Sequence, residues 1–202
     1  MKIGNLLLLA MIMGLALPAT ASANGPHQRD SWYIGFGLGG GLSAQWEANR
    51  RTITFDDWLS GLEKDPKLSL NFKVGATLTP KTLLGFDVTA VAQSGYASGV
   101  DAHIQINNYF LVMTHFPYSE GLFVRLGGGI SNILVSVNTP SGDFSSKVDG
   151  IGVLGGIGYA MWLGKSFNLT LNLDHSRQSY YSGIGEPESS EFTILYVGFE
   201  WY

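Results

Sequence analysis

The chain has 202 residues, 45% apolar, 14% charged and 12% aromatic, with 27 glycines, 7 prolines and no cysteine. Charge is far sparser than the ~25% of an ordinary soluble domain, and glycine is nearly twice its usual ~7%. The net charge of −4 leaves no polycationic footprint for nucleic acid, and the missing cysteines exclude a disulfide scaffold, a thiolate metal site, a cysteine nucleophile and a lipid-modified N-terminal cysteine.

Lys2, the 12-residue apolar run Leu6–Leu17 and the small-x-small string Ala21-Ser22-Ala23 predict a cleavable signal peptide over 1–23. The run is too short for the ~20 apolar residues of a membrane-spanning helix. Cleavage leaves a single domain, 24–202, with net charge −5 once Lys2 is lost.

The rest of the chain alternates. Trp32, Ile34, Phe36 and Leu38 interleave with Tyr33, Gly35, Gly37 and Gly39. The same period of two recurs at Leu68–Leu78, Leu84–Ala92, Leu122–Leu126 and Phe167–Leu173, the signature of strands with two unlike faces. Eight such runs are predicted: 31–43, 67–78, 83–93, 102–116, 121–137, 148–162, 166–178 and 191–202. Short joints at 79–81, 117–120 and 163–165 alternate strictly with long polar joints at 44–66, 94–101, 138–147 and 179–190. That layout is all-β: an eight-stranded antiparallel up-and-down transmembrane β-barrel, with short turns at one rim and loops at the other. Eleven residues at ~3.3 Å rise and ~45° tilt span roughly 25 Å, the height of a barrel's apolar band. A soluble barrel would turn its apolar residues inward, yet the face opposite the apolar one carries Lys73, Asp87, Arg125 and Asp174.

The leader, the alternating chain, Phe116-Pro117-Tyr118 before Leu122-Phe123-Val124-Arg125-Leu126-Gly127-Gly128-Gly129, and the terminal Gly198-Phe199-Glu200-Trp201-Tyr202 together resemble the small outer-membrane β-barrel superfamily of OmpA-type and OmpX-type barrels. Trp201, with Phe199 and Val197 two and four residues before it, matches the family's terminal aromatic, and Tyr202 overhangs. The resemblance implies a location in the cell outer membrane, contact with outer-membrane lipid and lipopolysaccharide, and reading of the C-terminal strand by the barrel-assembly machinery. It implies no cofactor and a structural or surface-binding role rather than catalysis.

Inside such a barrel, Lys73, Asp87, Arg125 and Asp174 are expected to form a buried ionic cluster, with Lys73 facing Asp87 across the Thr79–Lys81 turn. Two readings of it stay open, a side-chain plug and a gated pore for small solutes. Trp32, Trp162 and Trp201 are expected at the turn-side lipid interface. His175, Arg177, Tyr180 and Tyr181 are expected to form a lipid-contacting outer rim. The fourth strand is two-faced, with Ile104 and Ile106 opposite in parity to Tyr109, Leu111 and Met113, and a bulge near Asn107-Asn108 would reconcile them. The 44–66 joint, with Trp46, Phe55, Trp58 and Leu59 among mixed charges, is either a surface-ligand site or a cap over the mouth.

Three other patterns resemble chemical sites. Gly35-Phe36-Gly37-Leu38-Gly39-Gly40 fits a nucleotide-binding string but lies within a strand and opens no helix. His27, His103, His115 and His175 lack metal-ligand spacing. His175-Ser176, with Glu186, Glu188 and Glu191 downstream, invites comparison with outer-membrane lipid A deacylases; adjacent strand residues point to opposite faces, so a lipid-modifying enzyme acting through His175 is the alternative to the non-enzymatic reading.

Overall fold

A computed structural model of the chain describes residues 29, 31–118, 121–181 and 186–202; the expected leader and His27 lie outside the described residues. Eight long strands wind up and down: β1 (Trp32–Ala48), β4 (Leu68–Thr79), β5 (Thr82–Ala97), β6 (Val100–His115), β7 (Gly121–Thr139), β8 (Gly142–Trp162), β9 (Phe167–Tyr180) and β10 (Ser189–Trp201). Each pairs antiparallel with its neighbours, and β10 pairs with β1 to close the barrel. Two short strands add to it at the loop rim: β2 (Arg51–Thr54) on β1 and β3 (Glu63–Lys64) on β5. Between them lies a one-turn helix, α1 (Phe55–Trp58), capped where the Thr54 hydroxyl accepts the Asp57 N–H at 3.0 Å. Among the described residues no helix is long and apolar enough to cross a membrane.

Alternation divides each strand between two surroundings. Odd residues of β4, β5 and β7 and even residues of β6, β8, β9 and β10 face the interior. Toward the turn rim the outward face is a belt of exposed apolar side chains, among them Phe36, Leu70, Phe86, Leu111, Leu126, Ile157 and Phe199. Toward the loop rim the outward face turns polar. Ser94 Oγ meets His103 Nδ1 at 3.0 Å, Gln105 donates to Asn107 at 2.6 Å, and Asn107 donates to Asn132 at 2.9 Å.

Several sequence expectations change here. The joints 94–101 and 138–147 are mostly strand: β5 and β6 run on to a two-residue turn at Ser98-Gly99, with φ of 49° and 84°, and β7 and β8 run on to Pro140-Ser141. Positive φ at both positions of the Ser98-Gly99 turn matches the twist of the flanking strands. Registers through Asn107 and Asn108 are unbroken on both sides, so β6 has no bulge there. Ile104 and Ile106 face inward while Tyr109, Leu111 and Met113 face outward, because the interior itself becomes apolar at the loop end. The bulge lies in β1 instead, between Gly41 and Ser43. It switches parity, so that Ala44 and Trp46 turn inward and Leu42 stays exposed.

Candidate functional site

The interior is filled in three storeys, each set by which side chains the inward positions supply. At the turn rim Tyr33, Leu83, Phe116, Phe123 and Ala160 cluster, with Tyr202 packed against them. Arg29 enters this mouth from the N-terminal side, its guanidinium 3.6 Å from the Phe116 ring centre and 4.9 and 5.6 Å from those of Trp162 and Tyr202. Trp162 thus belongs to the inner aromatic stack, 5.7 Å from Tyr202, and not to the lipid face. Its even position on β8 sets it beside Asn168 on the inward side. Trp32 is exposed, and Trp201 packs outside against Phe167.

The middle storey is ionic. Arg125, 1% exposed, bonds Asp87 through Nη2 and both Asp174 and the Tyr196 hydroxyl through Nη1. Tyr196 in turn donates to Asp174 at 2.8 Å. Lys73 pairs with Glu200 at 2.8 Å and donates to Asn172 at 3.4 Å. Its ammonium stands 5.3 Å from the centre of the Tyr196 ring, and Tyr202 donates to the other Glu200 oxygen at 3.0 Å. A charge this deep is tolerated only when paired and hydrogen-bonded.

Lys73 and Asp87 do sit opposite each other in register, but they take different partners. Both main pairings step over a glycine. Lys73 and Glu200 flank Gly35 on one row, and Arg125 and Asp174 flank Gly156 on another. A side-chain carbon at Gly35 would stand 3.0 Å from Cγ of Glu200, and one at Gly156 would collide with Asp174. The bare glycine leaves the lane through which ions two strands apart meet. Glu200 and Tyr196, missed in the sequence reading, have the parity opposite to that of the outward Trp201, and that was their available signal.

The third storey, at the loop end, is an apolar core of Ala44, Trp46, Phe55, Val91, Ile104, Ile106, Ile133, Val148, Tyr180, Phe192 and Ile194. Tyr180 therefore faces inward, hydrogen-bonded to Ser190 at 2.6 Å, because its parity on β9 is that of Asp174. It does not join the outer rim, where His175, Arg177 and Tyr181 are exposed. The aromatic side chains of the 44–66 segment close this core from above. Phe55 and Leu59 are fully buried, and Trp46 packs edge-on against Phe55 and Trp58 at 5.8 and 5.9 Å. The lid is tied down by Asp56, which pairs with Lys67 and accepts from Gln93 at 3.1 Å. The Lys67 bond foremost, then the Gln93 bond, holds the Asp56 carboxyl below the usual carboxylate range.

His175 does not form a nucleophile–base pair with Ser176. Its Nδ1 meets the Thr193 hydroxyl at 3.0 Å, while Ser176 is buried in the interior. Among the described residues no group of three or more His, Asp and Glu is arranged to hold a metal ion.

No protein-family model matches the chain, and no curated protein matches it by sequence. Solved structures match by fold. Ail, the attachment invasion locus protein of Yersinia pestis, in complex with the heparin analogue sucrose octasulfate, superposes with a TM-score of 0.60 at 8% identity, covering 85% of this chain and 99% of Ail. Neisserial surface protein A superposes with a TM-score of 0.53 at 16% identity, covering 84% and 96%. The chain has the closed eight-stranded fold of the small outer-membrane β-barrels.

Proposed function

We propose that this chain is an integral outer-membrane barrel, sealed along its axis, that works through the surface at its loop rim. The sealed interior carries this reading. Below the apolar lid and core, the Arg125 and Lys73 networks and the Arg29 aromatic stack occupy the axis in turn, which favours the plug over the gated pore. The exposed apolar belt supports burial in lipid, with the turn rim and both chain ends periplasmic and the loop rim outside. Trp32 and Trp201 then meet the inner interface, and His175, Arg177 and Tyr181 meet lipid or lipopolysaccharide headgroups. The aromatic end of β10 is the segment offered to the assembly machinery.

The lid spends its aromatics on the core, so a ligand at 44–66 would meet charged and polar groups. The loop-rim segments 43–67, 94–103, 132–149 and 177–191 hold eleven carboxylates against six lysines and arginines. Ail is seen with a polyanion; the acidic excess here favours a cationic or mixed-charge partner instead. Planar-bilayer recording of the purified protein tests the seal, and the expected trace is flat. Regular conductance steps from folded wild-type protein would replace the plugged barrel with a pore.

A further inference from the structure

The aromatic cage at the turn mouth is built by parity. Phe116 follows β6, Trp162 closes β8 and Tyr202 follows β10, and all three hold the even positions that face inward on those strands. Backbone bonds fix the two overhanging residues. The Phe116 N–H donates to the Lys81 carbonyl at 2.8 Å, and the Tyr202 N–H to the Ser166 carbonyl at 2.9 Å. A second layer braces the rings, with Phe123 packed on Phe116 at 5.2 Å and Tyr33 on Tyr202 at 5.7 Å. Residues of the barrel itself therefore form the cage. Its occupant comes from elsewhere: Arg29 precedes the first strand, and its guanidinium carbon lies 3.6 Å over the Phe116 ring centre. Phe116 and Arg29 are buried, whereas Trp162 and Tyr202 are partly exposed, so the cage meets the outside at the turn rim.

Charge points the same way. Among the described residues the buried charged side chains are Arg29, Lys73, Asp87, Arg125, Asp174 and Glu200. The barrel wall thus supplies three carboxylates against two cations, and only Arg29 brings the formal sum to zero. Tyr202 links the two features, since its hydroxyl donates to Glu200 at 3.0 Å while the Arg29 charge acts on it from the cage. A buried carboxylate without its full complement of cations is costly. Ring faces and an excess of negative charge together select a cation. A guanidinium suits the cage best, because it is planar, stacks on a ring and sheds water more readily than an ammonium.

We infer that the turn mouth is a binding site for a guanidinium group, as an arginine side chain carries, and that Arg29 of the same chain blocks it from within. Arg29 is tethered beside the cage, so a guanidinium from outside competes against a high effective concentration, about millimolar or above. The cage lies at the end opposite the loop rim, and the inference does not depend on what the loop rim binds.

The full chain, folded in detergent micelles, is titrated with ethylguanidinium and followed by tryptophan emission, to which Trp162 contributes. A heat-dependent gel shift first shows that each variant is folded. Arg29→Ala should give a saturable change, and ethylammonium should bind it roughly tenfold more weakly. Wild-type protein should stay flat over the same range, because Arg29 holds the cage. Arg29→Lys keeps a tethered charge and should titrate at intermediate concentrations. Adding Phe116→Leu to Arg29→Ala should abolish binding. A capped Gly-Arg-Gly peptide that titrates as ethylguanidinium does points to a polypeptide ligand, and one that does not points to a free solute. No saturable change in folded Arg29→Ala protein, or in Arg29→Lys where the alanine variant does not fold, would overturn the inference. So would wild-type protein that titrates as Arg29→Ala does, or a double variant that binds as tightly as the single one.

Discussion

On β6, Leu111 and Met113 point outward and stand exposed, whereas Ile104 and Ile106, a few residues toward the loop rim, point inward and are fully buried. The strand has not slipped; its surroundings have been exchanged. The turn half is apolar outside and holds the ionic network within, above an aromatic plug at the rim, as a lipid-facing barrel allows. The loop half is polar outside and apolar within, as a water-soluble barrel is. One continuous sheet therefore carries two opposite rules, and the border crosses every long strand but β4, which begins at Leu68 on the turn side of it.

The largest expected effect breaks the ionic half. Arg125→Met leaves Asp87 and Asp174 buried without their cation, and a loss of about 3–5 kcal/mol is expected in reversible denaturant unfolding. A pair of outward substitutions on β7 sharpens the border itself. Leu126→Lys, in the belt, should cost ~2–4 kcal/mol in a bilayer, whereas Leu134→Lys on the same face should cost under ~1 kcal/mol. Equal costs would erase the distinction between the halves. In the loop half, Ile106→Val removes one buried methyl and should cost about 1 kcal/mol by the same unfolding measurement. The smallest effect concerns the lid. The Asp56 carboxyl lies below its ordinary range when folded, so its stabilising contribution is present above the ordinary carboxylate range and fades as pH falls through the lowered folded value. Hydrogen exchange at 55–62 should quicken only at that acid end, and Asp56→Asn should remove the dependence.

The eight strands, their alternation and their up-and-down order could be read from the sequence because the belt imposes a period of two on the turn half. The loop half was less legible for the same reason. Equating apolar with outward turns Ile104 and Ile106 into a register fault, and leaves Phe144 inside the polar joint 138–147 that the structure makes strand. Parity placed Lys73, Asp87, Arg125 and Asp174 on one face, yet it could not choose their partners. That choice depends on which strands bring a glycine between two charges, and closure of β10 on β1 supplies Glu200 from the far end of the chain. Trp162 and Tyr180 were misplaced because their chemistry suited an interface while their parity pointed inward.

The glycine lanes carry a consequence for how such a chain can change over time. Lys73, Gly35 and Glu200 come from three strands and from both ends of the sequence, yet any side chain at position 35 crowds the bridge between the other two. The three positions are coupled through one contact in the folded barrel. A lineage that replaces Gly35 gains little unless it also retires the charges at 73 and 200, and once those are gone the glycine is free to drift.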